Sequence, residues 1–135
     1  MPTRQPFRFE KLTVWQSARA LAGEVYATTK SFPRDEVFGL TSQLRRAAVS
    51  VSTNIAEGSG RNSDADFAHF LEIAYGSAME VASLLYVAAD AAILPLESRD
   101  LLLDLTSQVT AQISSLNKSL LVKHTKTPFA RPSVS

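Results

Sequence analysis

Apolar residues recur at spacings of three and four along most of this chain, which is the pattern of α-helices that bury one side. The first such series contains Val14, Ala18, Leu21, Val25 and Phe32, with Thr28 in the intermediate position. The longest series has eight unbroken positions: Phe67, Leu71, Ala74, Ala78, Val81, Leu85, Ala88 and Ala92. Together the periodic segments predict four helices, at 13–31, 40–57, 64–92 and 97–122.

Local signals mark the ends of these helices. Thr13 with Gln16, and Ser63 with Asp66, have the spacing of a capping box, so we expect them to open the first and third helices. Prolines end the first and third helices, and Gly58 fits the left-handed residue that caps the second helix. The short connections predict an all-α, antiparallel up-down-up-down four-helix bundle over residues 12–122. Residues 1–11 are expected to form an extended arm, and residues 123–135 a flexible basic tail.

The third helix is apolar on more than one side. Phe70, Ile73, Leu84 and Val87 lie off its main series. A monomeric bundle needs only one buried stripe per helix, so this surplus predicts a homo-oligomer.

Charge is spread unevenly along the 135 residues. The formal net charge is +1, yet residues 12–122 hold eight basic and twelve acidic side chains, a net charge of −4, because both ends are basic. An acidic body is a poor platform for nucleic acid, whose binding depends on neutralising phosphates. The apolar run from Val81 to Leu94 is short for a membrane span and contains Asp90, and the N-terminus has no signal-like run. We therefore predict a cytoplasmic protein with no membrane partner.

Candidate catalytic groups are few. Asp66, His69 and Glu72 lie three residues apart on one helix face, but a di-iron bundle needs an inward Glu-x-x-His from each of two helices, and the other histidine is His124 in the tail. No serine lies in a motif that would activate it with His69. With no cysteine either, we predict no catalytic residue, no metal and no cofactor.

A polar stripe on the second helix is the most specific feature of the sequence. Arg46, Ser50, Asn54 and Glu57 fall at spacings of four, four and three, so they share one face. One interpretation is a hydrogen-bonded network between helices or subunits that involves Gln43, Arg46, Asn54, Glu57, Ser77 and Glu80. The other is an anion patch.

The anion patch would consist of Arg45, Arg46 and Arg61. Neighbouring side chains on a helix point about 100° apart, so we expect Arg45 and Arg46 to serve different surfaces. If Arg46 is buried in the network, Arg45 and Arg61 remain the candidate contacts with an anion or nucleic acid.

Three segments also resemble a known family: FEKLTVWQSARALAGEVY, GLTSQLRRAAVSVSTNIAEGSGR and FLEIAYGSAMEVASLL. They resemble the bacterial four-helix-bundle proteins encoded in 23S ribosomal RNA intervening sequences, and more distantly the accessory proteins of diversity-generating retroelements. The similarity runs from about Phe9 to Leu120.

The resemblance implies a homopentameric, non-enzymatic bundle that acts as a scaffold or protein-binding module. Its motif positions are Gln43, Arg46, Asn54, Glu57, Gly58, Ser77 and Glu80. The alternative function is nucleic-acid (RNA or DNA) binding through a ring of arginines and the basic tails. The acidic body departs from the strongly basic retroelement relatives.

Overall fold

Helices make up nearly all of the computed structural model, which describes residues 3–125, with side chains as far as residue 122. Four α-helices follow one another: α1 (Thr13–Thr29), α2 (Leu40–Ser59), α3 (Asp64–Asp90) and α4 (Leu96–Thr125). Short 3₁₀ helices span Arg8–Lys11 and Arg34–Glu36, and no strand occurs in this part of the chain. The predicted all-α class with four helices is confirmed. From residue 126 onward, the predicted tail lies outside the described residues.

The four helices form a ring in which each packs against two others. Backbones approach within 8 Å between α1 and α2, α2 and α3, α3 and α4, and α4 and α1, but across neither diagonal of the described bundle. The core at the centre is built from the predicted apolar series. Its fully buried larger side chains include Leu21, Leu44, Ile55, Phe67, Leu71, Leu85 and Leu102.

Helix starts agree only in part with the capping patterns. Ser63 is the N-cap of α3, and its hydroxyl accepts a hydrogen bond from the Asp66 N–H at 3.1 Å. At α1 the capping box predicted for Thr13 and Gln16 is wrong, because Leu12 is the N-cap and has no capping side chain. The Gln16 amide instead donates to the carbonyl of Glu10 at 2.8 Å, which ties α1 to the preceding segment.

The end of α3 differs from the periodic pattern. Ala92 was expected in the buried series, but it is exposed and has a φ of 59°, in the left-handed region. The helix ends at Asp90, and the N–H groups of Ile93 and Leu94 both bond to the carbonyl of Ala88, at 2.9 and 3.1 Å. This closure turns the chain so that Leu94 is buried in the core.

Gly58 is not the cap of α2, as the sequence suggested. The helix continues through Ser59, the C-cap is Gly60, and no described glycine has a positive φ. A Cβ at Gly58 would lie 2.7 Å from the Cβ of Phe70 and 2.9 Å from a ring carbon of Phe67. The glycine is therefore explained by the close approach of α2 and α3.

The N-terminal arm is folded onto the bundle. Instead of an extended segment, Arg8–Lys11 forms a 3₁₀ helix. The Arg8 guanidinium donates to the Ser59 carbonyl at 3.2 Å and lies 5.0 Å from the ring centre of Phe67. Phe9 packs on Trp15 with ring centres 4.7 Å apart. These contacts attach the arm to α1 and to the junction of α2 and α3.

By length and composition α3 could cross a membrane, and it is the one helix in the described chain that meets both conditions. Core helices of water-soluble proteins meet the same conditions. In this bundle, α3 contributes seven buried residues to the core.

Candidate functional site

The centre of the α2 polar stripe forms a hydrogen-bonded connection to α3. The hydroxyls of Ser50 and Ser77 lie 2.8 Å apart, which joins the two helices. The Asn54 amide donates to the Ser50 hydroxyl at 3.0 Å and to the Ser50 carbonyl at 2.8 Å. Asn54 and Ser77, two members of the predicted network, therefore meet through Ser50, and all three side chains are partly buried.

The outer members of the predicted network are exposed in the single chain. The side chains of Gln43, Arg46 and Glu80 make no hydrogen bond or ion pair with another described residue. Glu57 is also exposed and pairs with Arg61 at 3.1 Å. Arg61 in turn lies 4.6 Å from the ring centre of Phe70. The polar stripe therefore has a bonded centre and open ends within one protomer.

An exposed apolar row lies beside this stripe on α3. Ile73 is 40% exposed and Val87 is 48% exposed, and Glu80 lies midway between them at the seven-residue spacing that keeps one helix face. Phe70, Ser77 and Leu84 form a half-buried row between this face and the core. The apolar surplus noted in the sequence is therefore only partly covered by the rest of the chain.

The opposite side of α3 borders a groove along α4. Its cavity is about 480 Å³ and is lined by apolar groups of α3, such as Met79 and Tyr86, and by Asp100 and Asp104 of α4. Arg99 bonds to Asp100 at 3.0 Å and lies over Tyr86. The groove is therefore mixed in character, and the arginine reduces its acidic charge.

Arg45 and Arg46 border one depression, contrary to the expectation that they serve different surfaces. This open depression of about 310 Å³ lies between the end of α1 and the start of α2. Because it extends across two helices and arginine side chains are long, two adjacent residues can reach it. Burial is also the reverse of the sequence hypothesis: Arg45 is half-buried and Arg46 is exposed in the single chain.

Arg45 is held in place on the wall of the depression. Its Nε donates to the Thr29 hydroxyl at 2.8 Å, and its guanidinium lies 4.6 Å from the ring centre of Tyr26. The Thr29 hydroxyl donates in turn to the Val25 carbonyl at 2.7 Å. The sequence did not predict this arrangement, because nothing in the spacing connects Arg45 with residues of α1.

The residues considered for a metal centre remain apart from these features. Among the described residues, no three His, Cys, Asp or Glu side chains are grouped to hold a metal ion. His69 is exposed on α3 and contacts the ring of Phe70.

Comparison with known proteins gives a family and a fold. The family model described as "23S rRNA-intervening sequence protein" matches residues 10–115. No curated protein matches the chain.

A solved structure resembles the chain: the crystal structure of a protein of unknown function from the S23 ribosomal protein family of Bacteroides thetaiotaomicron. Its identity to this chain is 21% and its TM-score is 0.71, over 78% of this chain and 99% of that one. At this identity the likeness is one of fold. The family match covers well over half of the chain and includes the α2 stripe and all of α3, so the protein belongs to the 23S rRNA-intervening sequence protein family.

Proposed function

We propose that this protein is a non-catalytic, homo-oligomeric scaffold or protein-binding module of the cytoplasm. In this proposal the helices form an antiparallel up-down-up-down bundle, and the face shared by α2 and α3 binds neighbouring copies. The resemblance noted in the sequence implies five copies.

Contacts along the helices support the antiparallel order. Near the end of α2, Gly58 meets Phe67 and Phe70 at the start of α3, whereas Ser50 meets Ser77 further along α3. At the other end of α3, Tyr86 contacts Arg99 near the start of α4. Successive helices therefore run in opposite directions in this proposal.

The observation that carries the proposal is the exposed row of Ile73 and Val87. It lies beside three polar side chains that have no partner within the described part of the chain: Gln43, Arg46 and Glu80. Apolar surface bordered by polar groups is typical of protein–protein interfaces. Burial against a second copy removes the apolar row from water. It also offers partners to the open ends of the polar stripe.

The test is the mass in solution. We expect light scattering to give several times the chain mass of 14.7 kDa at micromolar concentration. Ile73→Asp should shift the mass toward the monomer, because a carboxylate would be buried in the interface without a partner. Leu101→Asp is the matched control, since Leu101 is exposed on α4, away from the proposed face. A wild-type monomer, or equal loss of mass in both variants, would contradict the proposal.

Nucleic-acid binding is the alternative function. It would use Arg45, Arg61 and the basic ends, and it predicts retardation of structured RNA or duplex DNA that weakens steeply with salt. Two observations place it second: the body of the chain has a net charge of −4, and Arg61 is paired with Glu57. Absence of retardation at low salt would exclude it.

A further inference from the structure

We infer that the depression between α1 and α2 is a binding site for a phosphate group, formed by Arg45, Arg46 and Thr41. The site goes beyond the proposed scaffold function and does not rest on it: Arg45 is its principal cation, and Arg46, which the proposed assembly would pair with a neighbouring copy, contributes only where it is free of that contact. The three residues line the same open cavity of about 310 Å³, together with Tyr26, Val37 and Ser42.

Arg45 has the geometry of a prearranged ligand group. Its Nε is bound to Thr29, and its guanidinium plane is supported by Tyr26. Its two terminal Nη groups have no hydrogen-bond partner among the described residues. A guanidinium held by one edge presents its remaining donors in a fixed direction, which suits a tetrahedral oxyanion with several acceptor oxygens. Less side-chain entropy is lost on binding because the group is already fixed.

Thr41 adds a hydroxyl to the lining of the depression. The residue is only 6% exposed, but its hydroxyl is not enclosed: the buried side-chain oxygens without a partner in the described chain are those of Gln112 and Asn117. Because Thr41 lines the depression, its hydroxyl would donate a hydrogen bond to an oxygen of a bound phosphate in place of water.

The charge around the depression favours an anion. Two guanidinium groups and no carboxylate line it. The nearest acidic group in sequence, Glu36, accepts a hydrogen bond from the backbone N–H of Leu40 at 3.1 Å. That contact caps the start of α2, so the inference uses side chains rather than free backbone amides. Two cationic forks and two hydroxyls, of Thr41 and Ser42, fit a phosphate better than a carboxylate, which has only two oxygens.

Phosphate can come from two sources, a free ion or the backbone of RNA. The experiment is an NMR titration of the isotopically labelled full chain, first with inorganic phosphate and then with a short single-stranded RNA. We expect shifts at the Thr41 to Arg46 amides. Arg45→Gln should weaken binding about tenfold or more, because it removes charge-assisted hydrogen bonds. Thr41→Val should weaken binding several-fold and provides a second variant that keeps both arginines.

Arg19→Gln is the matched control, since it removes the same charge from an exposed residue of α1 that does not line the depression, and it should leave the affinity unchanged. Shifts with inorganic phosphate alone assign the site to a free ion. Tighter binding of RNA that also depends on Arg45 assigns it to a nucleic-acid phosphate. The inference is wrong if neither probe shifts these amides, or if Arg19→Gln weakens binding as much as Arg45→Gln. Light scattering on the same samples reports assembly separately, so loss of the phosphate site and loss of the scaffold are distinguishable.

Discussion

At the scale of single residues, an apolar series on a helix can continue through either of two neighbouring positions, and only the packing shows which of the two is buried. The first apolar series can pass from Val25 to Phe32 through Thr28 or through Thr29, since both routes have steps of three and four. The bundle buries Thr29 and leaves Thr28 half-buried. That choice places a hydroxyl beside Arg45. Periodicity alone does not distinguish Thr28 from Thr29, so the anchoring of Arg45 was not predictable from sequence.

Gly58 gives the sharpest prediction at this scale. Gly58→Ala should destabilise the fold by about 1–3 kcal/mol, because the added Cβ would lie 2.7 Å from Phe70 and force α2 and α3 apart. The measurement is the free energy of unfolding from denaturant titration. Gly23→Ala is the control: nothing lies within 4 Å of a Cβ there. In an exposed helix interior it should stabilise by about 0.5–1 kcal/mol. Equal effects at both positions would contradict the close-approach explanation.

At the scale of elements, periodicity was sufficient for the existence of four helices and insufficient for their ends. Helix interiors are fixed by burial of one face, which the apolar pattern records directly. Ends depend on local bonds and on space. The Ala88 carbonyl closes α3 before Ala92, and α2 passes through Gly58 to Ser59. In the same way, the sequence contained the polar stripe, but only the packing shows that Ser50 is its bonded centre.

The arm that precedes α1 should be sensitive to acid. The Glu10 carboxylate accepts hydrogen bonds from the Arg4 guanidinium and from the Phe7 N–H, and these lower its pKa from 4.5 to about 2. Because the folded pKa is lowered, the stabilisation is complete above about pH 4.5 and is lost as the pH falls toward 2. Fluorescence of Trp15, the only tryptophan, should report release of Phe9 over this range.

Glu10→Gln is the corresponding variant. It removes the titrating group, so the acid-dependent change in Trp15 fluorescence should disappear, while far-ultraviolet circular dichroism at neutral pH should stay the same. A Trp15 transition that persists in Glu10→Gln would show that another group controls attachment of the arm.

At the scale of the whole molecule, one bundle leaves interactions incomplete on the face shared by α2 and α3. Ile73 and Val87 remain exposed, and Arg46 and Glu80 lack described partners, although the core itself is continuous through all four helices. The chain can therefore fold without the contacts that would cover this face. In the proposed assembly, stability depends on protein concentration, because association favours the folded state by mass action.

Arg46→Ala distinguishes the contribution of Arg46 to the chain from its contribution to the assembly. In the single chain Arg46 is exposed and has no partner among the described residues, so at concentrations where the protein is monomeric the variant should change the free energy of unfolding by no more than about 0.5 kcal/mol. In the proposed assembly Arg46 would pair with a carboxylate of a neighbouring copy, so its loss should cost about 3–5 kcal/mol there. The measurement is the thermal midpoint over a hundredfold range of concentration in phosphate-free buffer, which avoids occupancy of the inferred phosphate site.

Lys118→Ala is the control, since it removes an exposed charge from α4. We expect the wild-type and control midpoints to rise together with concentration while the Arg46→Ala midpoint stays nearly flat. Parallel curves for all three proteins would show that Arg46 takes no part in assembly.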